Sequence, residues 1–345
     1  MTEKNIPRAK DLSAIQHFPI EWIKLQPRKV EEILSTLSLE EKAKHVLSLP
    51  AVYQRELLVL CEDAVEVTQS IPAEEIYHLI KELGSEDSLL ILSMASPTQL
   101  QYFFDLEWWQ SDKFQPQRAM EWLELLDQCN EPETLGWFLN EDFDQKVMLL
   151  QSLIKVFKQD EMTNSYEGVE GLEHYSPDGV YDVFFKVKES KVIRKLLLLL
   201  ADKDIAFLHE LLEAVIWFPT TITLEKAYQW RLTRTSERGI PEFEEAMGVY
   251  SSLNPDDLKQ EVPSSENFSG DKYSFSPQYP LTQVLLSHFF GQCVKSLDSE
   301  ERLNAIRWEL VCLANKIMVA DKCDLSDLKI RQKACLLYTS DAADE

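Results

Sequence analysis

The stretch Ser70 to Trp109, SIPAEEIYHLIKELGSEDSLLILSMASPTQLQYFFDLEWW, constrains the fold more than any other part of the chain, because helix starts, helix stops and apolar residues follow one another at short intervals. Pro72 suits a first helical position, Gly84 a helix end and Ser85 the cap of the next helix, while Ser96-Pro97-Thr98-Gln99 has the form of a capping box with proline just inside it. Helices of about ten residues are marginal in water. These must therefore be held by burying Ile76, Leu79, Leu89, Leu90, Leu92, Leu100, Phe103, Phe104 and Trp108 against neighbours.

The same texture extends on both sides. Ser38-Leu39-Glu40-Glu41 is a capping box opening a helix with Ala43, Val46 and Leu47 inward, and Pro116 can start a helix carrying Ala119, Met120, Trp122, Leu123, Leu125 and Leu126. SLSLEEKAKHVLSL, SIPAEEIYHLIKEL and ASPTQLQYFFDLEW resemble one another, a loose repeat. Up to Lys158 the pattern, ending in an apolar helix over Phe143 to Phe157, shows no clear strand. The expected fold is mainly all-α, stacked short helices in an α-solenoid-like domain over residues 1–158.

At Gln159 the texture changes. Gly168, Gly171 and the turn Ser176-Pro177-Asp178-Gly179 precede the strand formers Val180, Tyr181, Val183, Phe184 and Phe185, which predicts a small β-hairpin near 169–187 inside a central domain over 159–253. Helices resume at Val192–Leu200, Ile205–Phe218 and Leu224–Arg234. Residues 254–280 carry Pro255, Pro263, Pro277 and Pro280 among Ser, Asp and Glu and read as an acidic linker; 281–334 read as a truncated C-terminal helical region. Residues 335–345, CLLYTSDAADE, read as the in-frame translation of a transposase sequencing adapter, so a C-terminal part is expected to be missing and Cys335 carries no evidence about thiol chemistry.

Charge narrows the function classes. Thirty-five Lys+Arg against 59 Asp+Glu give a net charge of −24, which repels phosphate backbones and anionic lipid and argues against nucleic acid or a bare membrane as the main partner. The longest uninterrupted apolar run, Leu196 to Ala201, is far below the roughly 20 residues of a membrane span, and MTEKNIPRAKDLS lacks the apolar core of a secretory signal. Six cysteines without a C-x-x-C pair suit reduced thiols in the cytoplasm.

The motifs of catalysis are absent: no Walker A run, no G-x-G-x-x-G, no G-x-S-x-G, no H-E-x-x-H and no EF-hand loop, so a non-catalytic protein without cofactor or metal is expected. Glu75-Ile76-Tyr77-His78 is a single E-x-x-H, where a di-iron site needs two plus two further glutamates, and it reads as a surface pair. Trp108, Trp109 and Trp122 are candidates for a groove that binds another protein, against core packing as the bland alternative; adjacent helical residues point to different faces, so one of Trp108 and Trp109 is expected outside. Lys226, Arg231, Arg234 and Arg238 cluster in an acidic chain, the three arginines on one helical face. They suit an anion or an acidic partner segment, or else pair with Glu237, Glu242, Glu244 or Glu245 nearby. Two functions follow: an interaction scaffold with an exposed apolar groove and no buried polar pocket, or a regulatory module responding to a divalent cation or an anionic ligand.

Two stretches carry a resemblance. Gly84-Ser85-Glu86-Asp87, Ala95-Ser96-Pro97-Thr98-Gln99-Leu100-Gln101 and Asp105-Leu106-Glu107-Trp108-Trp109 form the first; Trp230-Arg231-Leu232-Thr233-Arg234 with Gly239-Ile240-Pro241-Glu242-Phe243-Glu244-Glu245-Ala246 forms the second. Together they are similar to an uncharacterised bacterial family of helical proteins known as a domain of unknown function. The resemblance implies a cytoplasmic bacterial protein with a longer C-terminus and supplies no catalytic residues. The short helices with acidic starts also resemble, in architecture alone, the cytosolic helical domain of bacterial magnesium channels.

Overall fold

A computed structural model of the chain describes residues 20–129, 136–139, 141–159, 166–188, 191–252, 289–297 and 299–339. The linker expected at 254–280 lies outside the described residues. In chain order the helices are α1 (Ile20–Leu25), α2 (Pro27–Leu34), α3 (Leu39–Leu47), α4 (Ala51–Val59), α5 (Ala64–Ser70), α6 (Ala73–Leu83), α7 (Ser85–Met94), α8 (Pro97–Glu107), α9 (Pro116–Cys129), α10 (Phe143–Leu153), α11 (Lys191–Lys203), α12 (Ile205–Trp217), α13 (Thr220–Ser236), α14 (Phe243–Ala246), α15 (Phe289–Lys295), α16 (Glu300–Ala320) and α17 (Leu328–Thr339). Strands β1 (Trp109–Gln110) and β2 (Lys113–Phe114) follow α8, β3 (Ile154–Lys158) follows α10, and β4 (His174–Tyr175) and β5 (Tyr181–Phe185) precede α11. Among the described residues the fold is thus mainly all-α, with two small antiparallel sheets. Among the described residues no single helix is long and apolar enough to cross a membrane.

The chain forms two compact units: Met1–Gln99 with Gly239–Glu345, and Leu100–Arg238. The composition break at 158/159 lies within the second unit, between β3 and the two strands that join it in one sheet.

In the first unit the helix signals act as expected. Ser38 and Glu41 form a reciprocal capping box at α3, and Ser96 and Gln99 form the second at α8, with Ser96 N–H donating to Gln99 Oε1 at 2.8 Å and Gln99 N–H to Ser96 Oγ at 3.2 Å. The amide of Gln99 also donates to the carbonyls of Thr68 and Ile71. Gly84 separates α6 from α7 at φ +81° and ψ 171°, a backbone region open to glycine and closed to residues with a Cβ. Ser85 is not the cap but the first helical residue; Gly84 takes that position.

Helix α6 is buried over Ala73–Ile80, polar residues included. Glu75 and His78 are therefore core residues, not the surface pair expected from the sequence. Burial, with the Arg331 charge nearby, holds the His78 imidazole well below its usual 6.5, so it stays neutral. The segment after 238 completes this core: Tyr77 Oη donates to the Ser326 carbonyl at 3.4 Å, and the buried Arg331 donates to Asn315 Oδ1 at 3.2 Å and the Leu325 carbonyl at 2.9 Å. Asn315 in turn donates to the Gly239 carbonyl. Of the expected apolar stripe, Ile76, Leu79 and Leu92 are buried but Leu90 is 46% exposed, with Ile91 inside in its place. The run Leu89-Leu90-Ile91-Leu92 is apolar on every face, so periodicity does not say which face turns in.

In the second unit the predicted hairpin is present as β4 and β5, with His174 opposite Phe184 and Tyr175 opposite Val183. The turn is built as its residues suggest: Asp178 Oδ1 accepts from the Val180 and Tyr181 N–H groups, and Gly179 sits at φ +72°. Residues 154–158, read from the sequence as the end of a helix, instead form β3, paired antiparallel to β5 from Ile154↔Phe185 to Lys158↔Tyr181. Ile-Lys-Val-Phe-Lys is β-branched or aromatic at three of its five positions and buries Ile154 and Val156 on one face, so pairing with β5 overrides the helical run before it. All five residues of β5 are buried, which makes it the central strand in the order β3-β5-β4.

Candidate functional site

The parts of the two resembling stretches that fall in the second unit, residues 100–109 and 230–234, meet there. The C-terminal part of α8 ends at Glu107, the chain bends at Trp108, and β1 and β2 form a hairpin whose tip residue Ser111 has φ +55°. Helix α13 presents Arg231 and Arg234 to this corner. Arg231 is buried, and donates from Nε to the Asp105 carbonyl at 2.7 Å and from Nη1 to the Ser111 carbonyl at 3.1 Å. Arg234 grips the buried Asp105 carboxylate with both Nε and Nη2 at 2.7 Å, a bidentate pair. Burial opposes the charge on Arg234, but hydrogen bonding and attraction from Asp105 outweigh it and raise its pKa. With the Gln145 amide turned to satisfy its neighbours, its oxygen accepts from Arg234 Nη1 at 2.8 Å and its nitrogen donates to Glu141 at 3.2 Å. Burial pushes the Glu141 carboxyl up.

Arg231 and Arg234 are thus occupied by partners within the unit. Arg234's carboxylate is Asp105, 129 residues earlier, rather than one of the nearby glutamates expected from the sequence. A guanidinium withdrawn from water needs a partner in the same interior, and Glu237 stands exposed at the end of α13. Arg238 lies over the Tyr102 ring at 5.1 Å, and Lys226 pairs with Asp144 at 2.8 Å on the surface.

The tryptophans expected to line a groove are core residues: Trp108, Trp109 and Trp122 are 5%, 6% and 7% exposed. Adjacent residues diverge on a helix, but α8 ends at Glu107, so Trp108 lies in the bend beyond it and Trp109 in β1. Trp108 stacks on Phe104 with centroids 4.1 Å apart, and Trp109, starting β1, turns onto Phe114, Tyr228 and the guanidinium of Arg231. Trp122 packs against Phe103 and Phe104. Cationic and aromatic candidates therefore converge on one buried place. Beside it lies a cavity of about 10 Å³ lined by Gln101, Asp105, Trp108, Trp137, Glu141 and Arg234 among others.

Two further features had no sequence signal strong enough to find. Asp182, buried on β5, accepts hydrogen bonds from Tyr166 Oη, from Gln159 at 2.9 Å and from the half-exposed His174 at 2.8 Å. Since His174 pairs opposite Phe184, it stands diagonally across from Asp182 on the same sheet face, which becomes visible only once the register is known. On the other side, Glu213 of α12 accepts from Lys158, Tyr181 and Trp217, and these bonds hold its carboxyl down at about 2. The corner joining α12 to α13 exposes Trp217, Phe218 and Ile222, and Trp230 continues the Ile222 stripe two turns along α13.

Compared with known proteins, residues 31–336 match a family of unknown function, DUF6178. No curated protein and no solved structure matches the chain, so the architectural likeness to magnesium-channel domains carries no functional argument.

Proposed function

For a chain that belongs to DUF6178, a family of unknown function, we propose a non-catalytic protein-interaction scaffold whose docking surface is the α12–α13 corner. The observation that carries this reading is the exposure of Trp217, Phe218 and Ile222 at the corner, with Trp217 75% exposed, and of Trp230 two turns further along α13, beyond the Lys226–Asp144 ion pair. Contiguous exposed apolar groups, tryptophan above all, are what protein interfaces use as anchors. The Trp217 ring is already oriented by its N–H donating to Glu213 at 2.8 Å, and Phe143 stands behind Phe218 with ring centroids 6.5 Å apart, so part of the ordering cost of binding is met in advance. This corner replaces the groove expected from Trp108, Trp109 and Trp122. The net charge of −24 supports a protein partner over nucleic acid, and the free thiols of Cys61, Cys129, Cys293, Cys312 and Cys323 support a cytoplasmic setting.

A photo-crosslinking residue at position 222, compared with one at the exposed Glu121 of α9, tests it in cells expressing the full chain. A discrete crosslinked species from position 222 that disappears in Trp217→Ala/Trp230→Ala supports the reading. Equal crosslinking from both positions, or persistence in the double variant, overturns it. A species of twice 40.0 kDa would identify the partner as a second copy.

A further inference from the structure

Three of the residues that line the cavity beside the Asp105–Arg234 pair carry buried polar atoms without a hydrogen-bond partner among the described residues. Trp108 and Trp137 are 95% or more buried, and among the described residues the indole N–H of each has no hydrogen-bond partner; nor has the buried Oε1 of Gln101, whose amide nitrogen donates to Asp105 Oδ1 at 3.1 Å. All three residues line the same space. A buried donor left unpaired costs about 1–3 kcal/mol, so two donors and an acceptor around one void are a strong demand for an occupant.

Volume and valence together identify the occupant. About 10 Å³ admits a species the size of one water and nothing larger. It must accept two hydrogen bonds, from the two indoles, and donate at least one, to Gln101. A halide donates none, and ammonium accepts none. Ring faces are the competing partners for the two N–H groups: Trp108 and Trp137 meet edge to face at 88° with centroids 5.4 Å apart, and each also meets a phenylalanine edge to face, Trp137 with Phe104 at 4.6 Å and Trp108 with Phe114 at 6.1 Å.

We infer that this cavity is a binding site for a single water, which accepts from Trp108 Nε1 and Trp137 Nε1 and donates to Gln101 Oε1. The water joins the helical residues 136–139 to α8, and through Gln101 it extends the hydrogen-bond chain that ends on the Arg234 guanidinium. This inference is independent of the docking surface, which lies elsewhere in the unit.

A high-resolution crystal structure of the full chain should show one solvent peak within about 2.7–3.2 Å of all three atoms. No peak, or a peak touching only one indole, overturns the assignment. In solution, chain labelled with nitrogen-15 at tryptophan, with Trp108→Phe and Trp137→Phe identifying the two signals, should give cross-relaxation from water to both indole protons. Gln101→Leu, whose side chain fills the space, should abolish it at both. Indole protons shifted upfield with no water cross-peak would mean that ring faces, not water, satisfy the donors.

Discussion

Asp105→Asn tests whether the meeting of α8 and α13 holds the second unit together. The substitution keeps shape and one carbonyl acceptor but removes the charge that answers Arg234. Losing one partner of a buried ion pair costs about 3–5 kcal/mol, because the other charge is left behind in the interior. Here Arg234 keeps 28% of its side chain exposed, which places the expected loss near the low end, about 3 kcal/mol. For a unit of this size that corresponds to a fall of about 10 °C in the midpoint of its thermal transition. Near-ultraviolet circular dichroism is a suitable signal, since Trp108, Trp109 and Trp137 pack at the site. The decisive comparison is a double-mutant cycle: Asp105→Asn and Arg234→Met should each cost about 3 kcal/mol, and the pair together little more than either alone. Additive losses would refute the reasoning, since they would mean that the two residues stabilise the unit independently.

Other expectations concern separate features. Gly84→Ala should destabilise the first unit by about 1–3 kcal/mol in urea titration purely through backbone strain, because a Cβ at that position meets nothing within 4 Å; a neutral result would contradict the φ assignment. Asp178 and Asp182 are pushed up by burial but pulled further down by hydrogen bonds, from the Val180 and Tyr181 N–H groups with His209 and from Tyr166, Gln159 and His174 respectively, so both end below the usual 3.8. Their contribution to stability is therefore complete above about pH 3.8 and is lost as pH falls through their lower native values. Asp182→Asn should flatten the acid limb of the stability curve, and an unchanged limb would rule that out. Among the thiols, the exposed Cys293 should react first with an aromatic disulfide reagent, while Cys61, raised by burial to about 11, should react only on unfolding; equal rates in the native protein would contradict this.

Helix type and helix starts were legible wherever a side chain caps its own backbone, as at Ser38/Glu41 and Ser96/Gln99, because that chemistry is complete within four residues. β3 was missed because Ile154–Lys158 follows an unbroken apolar helix and declares itself only against β5. The candidate site was half legible. Arg231, Arg234, Trp108 and Trp109 stood out as residue types, but nothing local shows that Asp105 answers Arg234. Leu90 and Ile91 make the same point on a smaller scale: four consecutive apolar residues say that something is buried without saying which.

The first unit is assembled from chain on both sides of residues 100–238. On a ribosome this is a matter of timing. At roughly 5–20 residues per second, α6 emerges about 12 to 50 seconds before Ser326 and Arg331 arrive to cover it, while the second unit has everything it needs by then. The half-built first unit would spend that interval with Ile76, Tyr77 and Ile80 lacking the C-terminal cover, the form in which a chaperone would meet this protein.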